Sequence, residues 1–119
     1  MQGSPELPEA LRVAIDAAAS DYRLFVSSFS VWEFAVLVRK GRLKLSVDAR
    51  IWLELAMQFQ GVQFVDVSPS IAFESQQLEW THQDPADRLI VATALDCEAT
   101  LVTRDDTIRD FLRGQTLWE

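Results

Sequence analysis

An α/β fold around a short parallel sheet is predicted for this 119-residue chain by three observations. Short apolar runs at 24–27, 62–67 and 101–103 alternate with longer segments whose apolar residues recur at helical spacing. The connections carry residues that stop one element and start the next, among them Gly41, Gly61, Ser68-Pro69 and Asp84-Pro85. Strands and helices in strict alternation place the helices on the faces of a parallel sheet.

Each element has its own local reason. Residues 1–7 form a flexible lead-in, because Pro5 and Pro8 resist regular structure. Leu11, Ala14, Ile15 and Ala18 give a first helix over 8–20, followed by the β-like run 24–27. Ser30 stands three residues before Glu33, a capping-box pattern, so the spacing predicts a helix opening there and ending near Gly41, with Glu33 in its first turn. Trp52, Leu55, Ala56 and Phe59 share one face of a helix that begins near Ser46 and stops at Gly61.

The strand 62–67 is the clearest, and Ser68-Pro69 caps a helix running to about Trp80. Asp84 caps the next helix, with Pro85 in its first turn and Asp87 at the third position, where a carboxylate suits the helix dipole. Leu89, Ile90, Thr93, Ala94 and Cys97 form its inner face. A strand at 101–103, a helix at 107–112 and a last strand at 116–118 complete a single domain over 1–119.

Composition narrows the function. No apolar run approaches the ~20 residues that span a bilayer, and the start lacks the basic and apolar regions of a signal peptide, so a cytoplasmic protein with no membrane partner is expected. One cysteine, Cys97, excludes an internal disulfide and reads as a small apolar residue rather than a nucleophile. A net charge of −7 opposes nucleic-acid binding through charge alone. Arg39, Lys40, Arg42 and Lys44 nevertheless concentrate four of the eleven basic residues. They are either the solvated end of a helix or a patch that contacts phosphate or a partner.

In open parallel sheets, functional groups gather where strands give way to helices. Glu33 and Asp105 follow strands, and Asp84 and Asp87 open a helix. If they converge, Glu33, Asp87 and Asp105 make an all-oxygen site suited to Mg²⁺ or Mn²⁺ rather than Zn²⁺. Such a site serves phosphodiester hydrolysis, because the ion lowers the pKa of a water and neutralises charge on phosphate oxygens. Each acid has a plainer reading as a cap: Glu33 in a capping box, Asp84 at an N-cap, Asp105 or Asp106 before the last helix. Capping leaves unexplained why both Asp84 and Asp87, and both Asp105 and Asp106, are present.

Ser30-Val-Trp-Glu33-Phe-Ala35, Gly41-Arg-Leu, Asp84-Pro-Ala-Asp87-Arg-Leu-Ile-Val-Ala-Thr-Ala and Leu101-Val-Thr103-Arg-Asp105 together resemble the PIN-domain family, and more narrowly its VapC-type toxins. The resemblance runs from about Leu7 to the C-terminus. It implies a three-layer α/β/α fold and a metal-dependent endoribonuclease, paired with a cognate antitoxin and often homodimeric. By motif it places Glu33, Asp87 and Asp105 as catalytic metal ligands on Mg²⁺ or Mn²⁺, with Thr103 and Asp84 in support and Asp106 as a cap. Arg88 and Arg104 fall where they reach RNA phosphate or pair with the same acids.

One departure qualifies the resemblance. The family opens with a strand ending in aspartate that lies at the centre of the sheet, between the strands matching 24–27 and 101–103, and no such strand is found here. The two inner strands are therefore expected to close up, expose their edges or recruit another chain. Activity is expected to be impaired or absent, since a site loosened by ~1 Å can lose two orders of magnitude in rate. The alternative is a non-catalytic module that keeps the antitoxin-binding surface. A phosphoacceptor receiver is disfavoured, because the only lysines are Lys40 and Lys44 and none follows a late strand.

Overall fold

Side-chain oxygens decide where most of the helices begin. The computed structural model describes residues 9–21, 23–59, 61–103 and 105–118. The expected lead-in and Arg104 lie outside these residues. In chain order the elements are α1 (Glu9–Ser20), β1 (Leu24–Ser27), α2 (Ser28–Arg39), α3 (Ala49–Met57), β2 (Val62–Val65), α4 (Pro69–Gln77), α5 (Pro85–Asp96), β3 (Leu101–Val102), α6 (Asp106–Phe111) and β4 (Thr116–Leu117).

Ser27 caps α2 by accepting from the Phe29 N–H, Asp48 caps α3 through Arg50, and Ser68 caps α4 through Ile71. The capping box expected at Ser30 is therefore not used. Ser27, at the end of β1, supplies the cap, which starts the helix earlier and moves Glu33 into the second turn, where it has no capping role. The start expected near Ser46 shifts to Ala49 for the same reason, since Asp48 supplies the cap.

The strands are short and parallel, as the alternation predicts. β1 pairs with β2 from Leu24↔Val62 to Ser27↔Val65, and β3 pairs with β4 through Leu101↔Thr116 and Val102↔Leu117. These are two separate pairs: among the described residues β1 and β3 are not hydrogen-bonded neighbours. Closing up is thus not the arrangement the inner strands adopt. The end of β2 is tied to the start of α2, because the Val67 N–H donates to Ser28 Oγ at 3.1 Å.

Gly61 enters β2 with φ +93°, and a Cβ there would lie 2.3 Å from the Ala19 carbonyl oxygen of α1. Only glycine accepts both that conformation and that approach.

The best-buried core lies in the C-terminal half. α4 packs on α5, burying Ile71 and Ser75, and Val91, Ile108 and Leu112 form a cluster flanked by Leu78, Trp80, Leu101 and Phe111. Each large aliphatic side chain buried there contributes about 1.5–3 kcal/mol. The inner face of α5 is broader than periodicity suggests: Val91 is fully buried and Ala92 nearly so, alongside the expected Thr93 and Ala94. In the N-terminal half an apolar cavity of about 320 Å³ opens between the β1–β2 pair and helices α2 and α3, lined by Val26, Phe34, Trp52, Phe59 and Phe64 among others.

Candidate metal centre

The first turn of α5 carries the centre of the site. Asp84 Oδ1 accepts from the N–H groups of Ala86 at 2.8 Å and Asp87 at 3.3 Å, and Pro85, which has no N–H, needs no acceptor in the first turn. Asp84 thus caps the helix as its sequence context predicts. The capped turn holds Asp87 half-buried, with Oδ2 2.7 Å from His82 Nε2. His82, Asp84 and Asp87 each place a ligand atom within 4.8 Å of the others, the one such group found among the described residues.

Glu33 reaches the same region from α2. Its carboxyl is pushed above its ordinary value first by burial, then by the charges of Asp87 and then Asp84. Two helices far apart in sequence therefore bring Glu33, Asp84 and Asp87 within electrostatic reach of one another, and burial strengthens the repulsion. Glu33 makes no hydrogen bond or ion pair among the described residues. Among the described residues the acids have no lysine or arginine paired with them, an arrangement a divalent cation would relieve.

Asp105 is not one of the His82, Asp84 and Asp87 group. Its Oδ1 caps α6 by accepting from Thr107 at 2.8 Å and Ile108 at 3.2 Å, and its own N–H donates to Thr103 Oγ1 at 3.1 Å. The cap is Asp105, not Asp106 as expected; Asp106 is the first residue of the helix. Adjacent identical side chains cannot be told apart by propensity, and the turn geometry makes the choice. Asp105 keeps Oδ2 without a hydrogen bond among the described residues, and Thr103 supports its loop.

Arg88 is a second correction. In place of the expected reach toward RNA phosphate or the acids, it is buried and points into the protein. Its Nε donates to the Ser75 carbonyl at 2.9 Å, Nη1 to the Trp80 and His82 carbonyls at 2.8 Å each, and Nη2 to the Leu78 carbonyl at 3.0 Å. These bonds also explain why α4 ends at Gln77 rather than near Trp80: carbonyls that would continue the helix turn to the guanidinium instead. Arg39, Lys40 and Arg42 are exposed at the end of α2, as is Lys44.

His82 is a site residue that sequence reasoning missed. The available signal was its place five residues before Asp87, across a capped turn. Cys97, by contrast, behaves as expected: burial and then the charge of Asp96 push its thiol up, which disfavours the nucleophilic thiolate.

The PIN domain family model matches residues 2–112. This chain belongs to the PIN-domain family. It is 33% identical over 115 residues to Ribonuclease VapC22 of Mycobacterium tuberculosis, spanning 93% of this chain and 87% of that relative. No solved structure gives a significant match. The mixed architecture with short parallel strand pairs is that of a PIN-like fold, and the VapC-type motifs from Ser30 to Asp105 lie within the matched span. Among the described residues no helix is long and apolar enough to cross a membrane.

Proposed function

We propose that this PIN-domain protein is a divalent-metal-dependent endoribonuclease toxin, with Glu33, Asp87 and Asp105 as its catalytic acids. The observation that carries the reading is the electrostatic convergence of Glu33 with Asp87 and Asp84 from separate helices. The oxygen-rich donor set fits Mg²⁺ or Mn²⁺. When bound, such a cation supplies Lewis-acid polarisation of the attacking water and of the scissile phosphate. Asp87 offers Oδ1, Asp84 and Asp105 each offer Oδ2, and Thr103 fixes the Asp105 loop. Glu33, whose carboxyl burial and the charges of Asp87 and Asp84 bias toward holding a proton, would exchange one with water during hydrolysis.

RNA approaches through the exposed cations Arg39, Lys40 and Arg42, with Arg104 assigned to the same role from its place beside Asp105. A cognate antitoxin is the expected protein partner, as the similarity to a VapC ribonuclease suggests. The apolar surface supports a partner of this kind: Ile51, Trp52, Leu55, Met57 and Phe59 are 42–62% exposed on and just after α3, beside the 320 Å³ cavity.

Incubating the purified protein with RNA and Mn²⁺ or Mg²⁺, beside Glu33→Gln and Asp87→Asn, tests the reading. Slow cleavage, impaired as the sequence leads one to expect, that needs the metal and is lost in both variants is the expected result. Equal, metal-independent cleavage by all three proteins sinks the assignment.

A further inference from the structure

The residue that holds Asp87 is itself held on two sides. His82 Nε2 lies 2.7 Å from Asp87 Oδ2, with the two side chains only 29% and 26% exposed. An ionised carboxylate only accepts, so Nε2 carries the proton and donates. The imidazole packs against Trp80 with ring centroids 4.8 Å apart, and Trp80 stacks on Phe111 of α6 at 4.5 Å. The backbone carbonyl of His82 accepts from Arg88 Nη1 at 2.8 Å.

Arg88 follows Asp87 in α5, so one turn of helix both presents the carboxylate and grips the loop that carries the imidazole. That loop has no regular secondary structure of its own. A solvated surface pair would show none of these restraints and would be worth ~0–1 kcal/mol at most. Here the ring face is held by Trp80, which packs against the core, and the backbone by the buried Arg88.

We infer that His82 is a positioning residue: its Nε2–H fixes Oδ2 of Asp87 and turns Oδ1 toward the cation, while Arg88 and Trp80 fix His82. This rests on the reading of Asp87 as a cation-binding acid. Outer partners of this type orient a ligand carboxylate, and their removal costs about 10–100-fold in metal affinity.

The test is Mn²⁺ affinity, measured by electron paramagnetic resonance at one fixed pH, for wild type, His82→Phe, His82→Gln and Asp87→Asn, with melting temperatures alongside. His82→Phe keeps a ring to pack on Trp80 but donates nothing, and is expected to bind Mn²⁺ about 10–100-fold more weakly. His82→Gln restores an N–H and is expected to recover most of the affinity, which a purely structural role would not produce. Wild-type affinity in His82→Phe, with binding lost in Asp87→Asn, overturns this inference alone. Should His82→Phe melt lower than wild type, equal weakness in a stably folded His82→Gln overturns it as well. Wild-type affinity in Asp87→Asn, or no Mn²⁺ binding by wild type, overturns the cation site and this inference together.

Discussion

Arg88 Nε donates to the carbonyl of Ser75 at 2.9 Å, and both residues are buried. The rest of the guanidinium serves three more carbonyls, those of Leu78, Trp80 and His82. The charge is therefore used to bind backbone in place of water. Arg88→Met would leave four carbonyls without this donor and is expected to destabilise by about 3 kcal/mol or more, read from urea unfolding midpoints. Arg88→Lys keeps the charge but not the planar fork, and should recover only part of the loss.

Glu33 makes stability depend on pH in a defined direction. Its folded carboxyl is raised by burial, Asp87 and Asp84, so between the unfolded and folded values the native state binds the extra proton. Stability from this group is therefore present below the unfolded value and falls as pH rises through the folded one. In metal-free buffer, Glu33→Gln should melt higher than wild type at neutral pH, with the gap closing under acid conditions. Added Mn²⁺ should narrow the gap from the other side by stabilising wild type. Thermal melts across pH, with and without Mn²⁺, measure both trends.

Gly61→Ala confronts the Ala19 carbonyl at 2.3 Å while φ is +93°. The clash is with backbone, so no side-chain rotation relieves it. A loss of about 2–4 kcal/mol is expected, combining left-handed strain with overpacking. Gly41 has φ +71° and open space around it, so Gly41→Ala isolates the strain alone and should cost about 1 kcal/mol. Comparing the two denaturation midpoints separates steric clash from conformation.

The cations at the end of α2 are expected to act on RNA by pairing with phosphate. Replacing Lys40 and Arg42 by Ala should weaken single-stranded RNA binding similarly for all sequences. It should also flatten the plot of log affinity against log salt by roughly 0.7 for each phosphate that is no longer neutralised. Fluorescence anisotropy over a salt series reads both. An unchanged slope would return these residues to the role of a solvated helix end.

What was legible in the sequence follows the range of the interaction behind it. The caps at Asp84 and Ser68 are legible because a cap is made within three residues, and the bounds 24–27 are legible because the apolar run and the strand coincide. Competing caps were harder. Ser27 against Ser30, and Asp105 against Asp106, offer equivalent side chains one turn or one residue apart, and only the path of the preceding strand chooses between them. The motif puts Arg88 beside the acids, but its carbonyl partners are Ser75 of α4 and Leu78, Trp80 and His82 of a loop whose shape no periodicity describes. The acids Glu33, Asp84 and Asp87 stand out individually in the sequence, whereas the His82–Asp87 pairing requires the loop geometry.

The separation of the strands into two pairs also bears on the order in which the chain folds. β3 and β4 join Leu101 to Thr116 around a single short helix, whereas β1 and β2 join Leu24 to Val62 across two helices and their connections. Closing the smaller loop costs less entropy, and short-range pairings form first. With no shared strand pairing, the two units need not wait for each other. Pulse-labelled hydrogen exchange should then protect the amides of Leu101 and Thr103, which bond to Gln115 and Leu117, before those of β1.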